Sequence, residues 1–200
     1  MLKHEWKKEE KEIYLPKETP TLVTVPKMKY FTISGKGNPN NKDFSDKVGV
    51  LYPLSYAVRM MPKNGYTPKD YFEYTVYPLE GIWSGNALDK NSFVYTIMIR
   101  QPDFVDEEVF SKALEITKKK KPNVLLDDIK FEIMEDGLCV QMLHIGSYDD
   151  EPLTFKQMNQ FLLDNGYKRR TETHKEIYLS DPNKTSPEKM KTVLRYFVEK

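Results

Sequence analysis

The sequence predicts an α+β fold in which helices cover one face of antiparallel sheets. Three observations carry this reading. Stretches with period-two apolar alternation, such as TLVTVPKMKYFTISGKG (Thr21 to Gly37), are interleaved with stretches whose apolar residues recur at helical spacing. A similar order of elements returns in the second half. TISGKG, ahead of the first long helix, resembles HIGSY ahead of a later one, which points to a duplicated module.

Taken in order, the first twenty residues are charge-rich, end in Pro16 and Pro20, and read as an arm or short helix pinned by Trp6 and Tyr14. Thr21 to Gly37 is a strand closing on Gly35 and Gly37. From Phe44, the residues Val48, Leu51, Ser55 and Val58 mark a helix that ends before Pro62. DYFEYTVYPLEGIW (Asp70 to Trp83) reads as a strand made irregular at Pro78. Gly85 to Asn91 reads as a polar turn region and Ser92 to Pro102 as a second strand. Val109, Ala113 and Ile116 mark a helix running from about Asp106 and closing on Lys118 to Lys121. Four cations suit the negative end of the helix dipole, and they read as a solvated terminus. KFEIMEDGLCVQMLHIG (Lys130 to Gly146) reads as a hairpin turning at Asp136-Gly137. Tyr148 to Pro152 opens a helix with the stripe Phe155, Met158, Phe161 and Leu162, which Gly166 terminates. HKEIYLSDP (His174 to Pro182) is a strand in which Ile177 and Leu179 claim the core, leaving Glu176 and Tyr178 on the second face. A final helix is expected from Ser186-Pro187, with Met190, Val193, Leu194 and Phe197 on one side.

Composition narrows the chemistry. Two hundred residues suit one compact domain or two small half-domains. The 31 basic and 30 acidic residues leave a net charge of +1, which gives no basic field for nucleic acid. A lone Cys139, no signal-like leader and no apolar run of about 18 residues point to a cytoplasmic protein that engages no membrane. His4, His144 and His174 fall in no ligand spacing and GKGNPN matches no phosphate loop, so neither a metal nor a cofactor is implied. What remains is carboxylates among aromatics: Glu73 with Tyr71 and Tyr77, Glu80 beside Trp83, and Glu176 beside Tyr178. A glutamate in an aromatic cavity attracts cations or, once desolvated, serves as an acid or base. Alternation alone leaves open whether these residues meet solvent or a cavity. It also leaves open which parity of residues 70–77 faces inward.

GSYDDEPLTFKQMNQFLLDNGYK followed by HKEIYLSDPNKTSPEKMKTVLR resembles the C-terminal signature of the GyrI-like small-molecule-binding domain. The matching elements are Gly146 and Tyr148 at a strand-to-helix turn and Gly166 after the helix. They continue with Glu176, Tyr178 and Leu179 in the last strand, then Asp181-Pro182 and Pro187-Glu188. YFEYTVYPLEGIW further resembles a stand-alone bacterial subgroup, with Ile82 where the subgroup has Leu. The resemblance spans roughly residues 20 to 197. It implies two strand-helix-strand-strand modules, about 21–105 and 125–182, related by a pseudo-twofold axis, with an N-terminal arm at 1–20 and a C-terminal helix. It also implies a ligand cleft on the sheet faces turned away from the helices, with Glu176 at its floor.

Some stand-alone members of that family hydrolyse cyclopropane-bearing DNA-alkylating natural products. The resemblance therefore implies a binder of aromatic or amphipathic drug-like molecules that opens such rings by adding water, without a cofactor. Glu176 and Glu80 would be its catalytic carboxylates, and Tyr71, Tyr77, Trp83, Tyr148 and Tyr178 its ligand-binding residues. The alternative is a non-catalytic drug-sequestering or effector-sensing protein. The fold takes up nearly the whole chain, which disfavours a sensor carrying its own output domain. The expected partner is a small molecule; the residues point to no protein partner.

Overall fold

The computed structural model describes residues 3–85 and 89–200. Residues 86–88, within the expected Gly85–Asn91 turn, lie outside the described residues. The elements run α1 (Trp6–Glu9), α2 (Lys11–Tyr14), β1 (Thr21–Lys36), α3 (Lys42–Met60), β2 (Leu79–Ser84), β3 (Val94–Gln101), α4 (Glu107–Lys120), β4 (Lys130–Ile145), α5 (Glu151–Asn165), β5 (Lys168–Tyr178) and β6 (Lys191–Glu199). The fold is α+β. Two compact units form, the first from Met1–Glu5, Met28–Tyr77 and Gly85–Met134, the second from Trp6–Lys27, Pro78–Ser84 and Glu135–Lys200.

In the first unit, β1 pairs antiparallel with β3, from Lys29 opposite Gln101 to Lys36 opposite Val94. Phe31, Leu51, Leu54, Val58, Ile97 and Ile99 are fully buried. α4 begins where the Asp106 side chain accepts a hydrogen bond from the Val109 N–H at 2.9 Å, satisfying one of the helix's unpaired donors. At its far end Lys119 pairs with Glu115 at 2.6 Å, and Lys118 pairs with Asp127.

The expected strand over Asp70–Tyr77 is not a ladder strand. Asp70 adopts a positive φ of 59°, Pro78 has no N–H to donate, and only Tyr74 forms a bridge, to His4. Burial there follows neither parity: Tyr74, Val76 and Tyr77 are all buried while Glu73 is exposed.

The second unit contains the strand order β2-β5-β6-β4. Gly81 lies opposite Glu176, Trp83 opposite His174, Glu176 opposite Leu194, and Leu194 opposite Met142. Two expectations fail here. The segment Ser186 to Phe197 is not a helix. After a short turn at Pro187–Lys189 it becomes β6, flanked by β5 and β4 and buried at every position from Thr192 to Val198. A strand covered on both faces shows no alternation, so its apolar run imitates helical spacing. Asp136-Gly137 is not a hairpin either. Gly137 takes φ +66° within the continuous β4, a local irregularity that only glycine accepts without strain. With β6 a strand, the element orders β1-α3-β2-β3 and β4-α5-β5-β6 coincide.

α5 packs Met158 and Leu162 against Val140, Met142, Leu194, Tyr196 and Val198, with Phe155 and Phe161 alongside. It ends at Gly166, in the left-handed conformation at φ 69°. Among the described residues no helix is long and apolar enough to cross a membrane.

Candidate functional site

Directly opposed residues of an antiparallel pair point to the same side of the sheet. Glu176 therefore shares its face with Leu194 and Met142, the residues on which α5 packs. This corrects the expected geometry: Glu176 lies on the helix-bearing face of its sheet, not on a face turned away from helices. Ile177 is fully buried on the opposite side, so both faces of β5 are covered here, while Glu176 itself remains 9% exposed.

On that face a chain of hydrogen bonds links β2 to β5. The Trp83 indole N–H donates to the Tyr178 hydroxyl at 2.8 Å, and Tyr178 donates to Glu176 Oε2 at 2.7 Å. His174 Nε2 lies 2.9 Å from Glu176 Oε1, so each carboxyl oxygen has a partner. Gly81 makes this possible. A Cβ at Gly81 would sit 2.5 Å from Trp83 Nε1, so the indole lies over the strand only because position 81 has no side chain. Aromatic rings complete the surroundings. Tyr148 meets Tyr178 edge-on at 6.0 Å, and Phe155 meets His174 at 4.8 Å.

Burial shapes the proton affinities. The Tyr178 phenol is held well above its ordinary range by desolvation, then by the Glu176 carboxylate that accepts its hydrogen bond. Tyr148 is pushed up to about 12 by the same two causes. Both phenols therefore remain proton donors at neutral pH. Glu151, the first residue of α5, joins this group although its sequence context does not single it out. It is buried, and its Oε1 has no hydrogen-bond partner among the described residues. Its carboxyl is raised well above the usual range, first by burial, then by the charges of Glu176 and Asp149. The local sequence Asp149-Asp150-Glu151-Pro152 reads as an acidic helix start, which hid it.

The site-residue expectations thus divide. Glu176, Tyr178, Trp83 and Tyr148 come together, joined by His174 and Glu151. Glu80 points to the other face of β2, where its Oε2 lies 3.4 Å from Lys175 Nζ. There it borders a buried polar cluster: Lys175 donates to both Asp136 oxygens at 2.8 Å, and Arg195 reaches Asp136 Oδ2 at 3.1 Å. Burial alone would raise Asp136, but Lys175 and Arg195 hold its carboxyl below the usual range. Arg195 and Gln141 also donate to the backbone carbonyls of Ile13 and Glu12, fastening the N-terminal arm. Tyr71 and Tyr77 belong to the first unit. Tyr71 donates to the Arg59 carbonyl at 2.8 Å, and Tyr77 lies under the Arg100 guanidinium with its hydroxyl 3.3 Å from His4 Nε2. Among the described residues no group of three His, Cys, Asp or Glu is arranged to hold a metal.

Comparison with known proteins agrees with this architecture. A crystal structure of a hydrolase from Listeria innocua is 40% identical, with a TM-score of 0.92, covering 98% of this chain and all of that one. A second hydrolase from the same organism is 38% identical, with a TM-score of 0.94 and coverage of 99% and 100%. The EcmrR C-terminal domain shares the fold at 17% identity and a TM-score of 0.55, covering 91% of this chain and 98% of that one. No curated protein matches this chain. The model of the GyrI-like small molecule binding domain matches residues 18–196, and the chain belongs to that family.

Proposed function

We propose that the chain is a small-molecule hydrolase that opens a cyclopropane ring conjugated to a dienone, with Glu176 as its acid–base residue. The observation that carries this reading is the Glu176 carboxylate, held between His174 and Tyr178 beneath aromatic rings. The 40%-identical Listeria innocua protein is a hydrolase, which supports it.

In the reaction, a water oxygen bonds to a ring methylene while a ring C–C bond breaks. The released electron pair flows to the dienone oxygen, which takes up a proton from solvent, and the water gives its proton to Glu176, which returns it to solvent. The product is the substrate plus one water. Flat substrates suit the faces of Tyr148, Tyr178 and Trp83.

The test is incubation with a cyclopropane-bearing dienone, followed by mass spectrometry for the added water. Glu176→Gln is expected to lower turnover by roughly 10²-fold or more, the usual worth of a positioned acid or base, with melting behaviour nearly unchanged. Full activity in that variant refutes the assignment. Tight binding with the ligand recovered unaltered would establish a sequestering protein instead.

A further inference from the structure

The site holds a second carboxyl that the proposed reaction does not use. Glu151 opens α5, a helix of 15 residues, and is 7% exposed. Its Oε1 is inaccessible to solvent and has no hydrogen-bond partner among the described residues. A buried oxygen left in this state is costly, and more costly if charged. Tyr148, three residues before Glu151, meets Tyr178 edge-on at 6.0 Å, Tyr178 donates to Glu176 at 2.7 Å, and the Glu176 charge raises the Glu151 carboxyl, so these four groups form one cluster.

The titratable groups that act on Glu151 or feel it are Tyr148 and Asp149 on its own turn and Glu176 and Tyr178 on β5; Asp150 precedes it in the chain, and His174 lies against Glu176. His144 is tied to the same segment, with Nδ1 2.9 Å from Thr154 Oγ1 and Nε2 2.9 Å from the Ser147 carbonyl. Two carboxylates in so dry a place repel each other, and one proton between them removes the conflict.

We propose that Glu151 is a specificity-determining residue, a buried carboxyl that keeps its proton while the site is empty and releases it when a cationic group settles against Glu176. The empty site then presents the Glu176 carboxyl beside the rings of Tyr148 and Tyr178, a setting that favours an aromatic cation. An arriving cation offsets the repulsion that keeps Glu151 protonated, so uptake of the cation is an exchange for a proton. By linkage, cation affinity rises with pH through the titration of Glu151. The rise is about tenfold for each unit by which the bound cation lowers the Glu151 pKa. The proposal rests on the small-molecule site described above, but not on its being hydrolytic.

The test uses the full chain labelled with carbon-13 at the glutamate carboxyls, and benzyltrimethylammonium, whose charge does not titrate. Without the cation, one glutamate resonance should titrate well above the ordinary carboxylate range. It should be missing in Glu151→Gln and shifted to lower pH in Glu176→Gln, where the repelling charge is gone. Adding the cation at fixed neutral pH should move that resonance to its deprotonated position. The proposal is overturned if every glutamate titrates in the ordinary range or if the displaced resonance survives in Glu151→Gln. It is equally overturned if the cation binds without deprotonating that carboxyl, or fails to bind at any pH. Proton exchange without turnover of a cyclopropane substrate would defeat the hydrolase reading and leave this one standing; turnover without a displaced glutamate would do the reverse.

Discussion

Gly81→Ala tests whether the Trp83–Tyr178–Glu176 chain depends on a missing side chain. The new methyl group would sit 2.5 Å from Trp83 Nε1 and 3.3 Å from Cδ1 and Cε2, where ordinary contact begins at 3.4 Å. The indole must therefore retreat by about 0.9 Å at Nε1, the difference of those two distances. Trp83 is only 5% exposed and has little room to retreat. Overpacking of this kind costs about 1–3 kcal/mol. Losing the 2.8 Å bond to Tyr178 adds roughly 1–2 kcal/mol, because the indole N–H and the hydroxyl it served are left in a dry place. The expected destabilisation is about 2–5 kcal/mol, read from denaturant unfolding of the second unit, with faster hydrogen exchange at the indole N–H. A double-mutant cycle makes the prediction specific. In a Trp83→Phe background, where nothing occupies the Nε1 position, Gly81→Ala should cost at least about 1 kcal/mol less. Equal costs in the two backgrounds, or an indole N–H as protected as in the wild type, would refute the reasoning.

On the opposite face, Lys175→Met leaves Asp136 with Arg195 alone and removes the cation beside Glu80. The expected loss is about 3–5 kcal/mol in urea unfolding, the cost of stranding a buried charge. Because the folded-state pKa of Asp136 lies below its unfolded value, its contribution is present above about pH 4 and is lost as pH falls through the folded pKa. Lys175→Met should flatten that part of the acid-stability profile. Cys139, fully buried and with its thiol pushed up to about 11 by burial, should resist iodoacetamide at pH 8 until the second unit opens. Alkylation as fast as that of a free thiol would contradict its placement.

The elements legible in the sequence were those with one wet face. β1, α3, α4 and α5 show periodicity because solvent marks their outer residues, and Asp106 and Gly166 mark helix ends by chemistry that acts locally. β6 was illegible for the opposite reason: Thr192 to Val198 meet protein on both sides. The Asp136-Gly137 pair offers a left-handed residue, which a bend within a strand uses as readily as a hairpin. Site residues followed the same division. Alternation correctly grouped Glu176 with Tyr178 against Ile177, but could not say which face α5 would cover, since that depends on Leu194 and Met142, strands away in sequence. Glu80 and Trp83 are close in the chain and belong to different faces of β2. Glu151 could not be singled out, because its isolation comes from burial and from Glu176, 25 positions further on.

The fastening of the N-terminal arm has a practical side. Its anchors are the main-chain carbonyls of Glu12 and Ile13, accepting from Gln141 and Arg195, together with the Lys17 carbonyl accepting from the Leu143 N–H at 2.9 Å. At these points the arm is held by atoms that every amino acid carries. Residues such as Glu12 can drift in evolution at little cost, while their removal cannot be tolerated in the same way. A shortened version beginning at Thr21 would take two partners from groups in the interior, one of them a guanidinium only 1% exposed. Trimming that end for expression is thus equivalent to a substitution in the protein's centre.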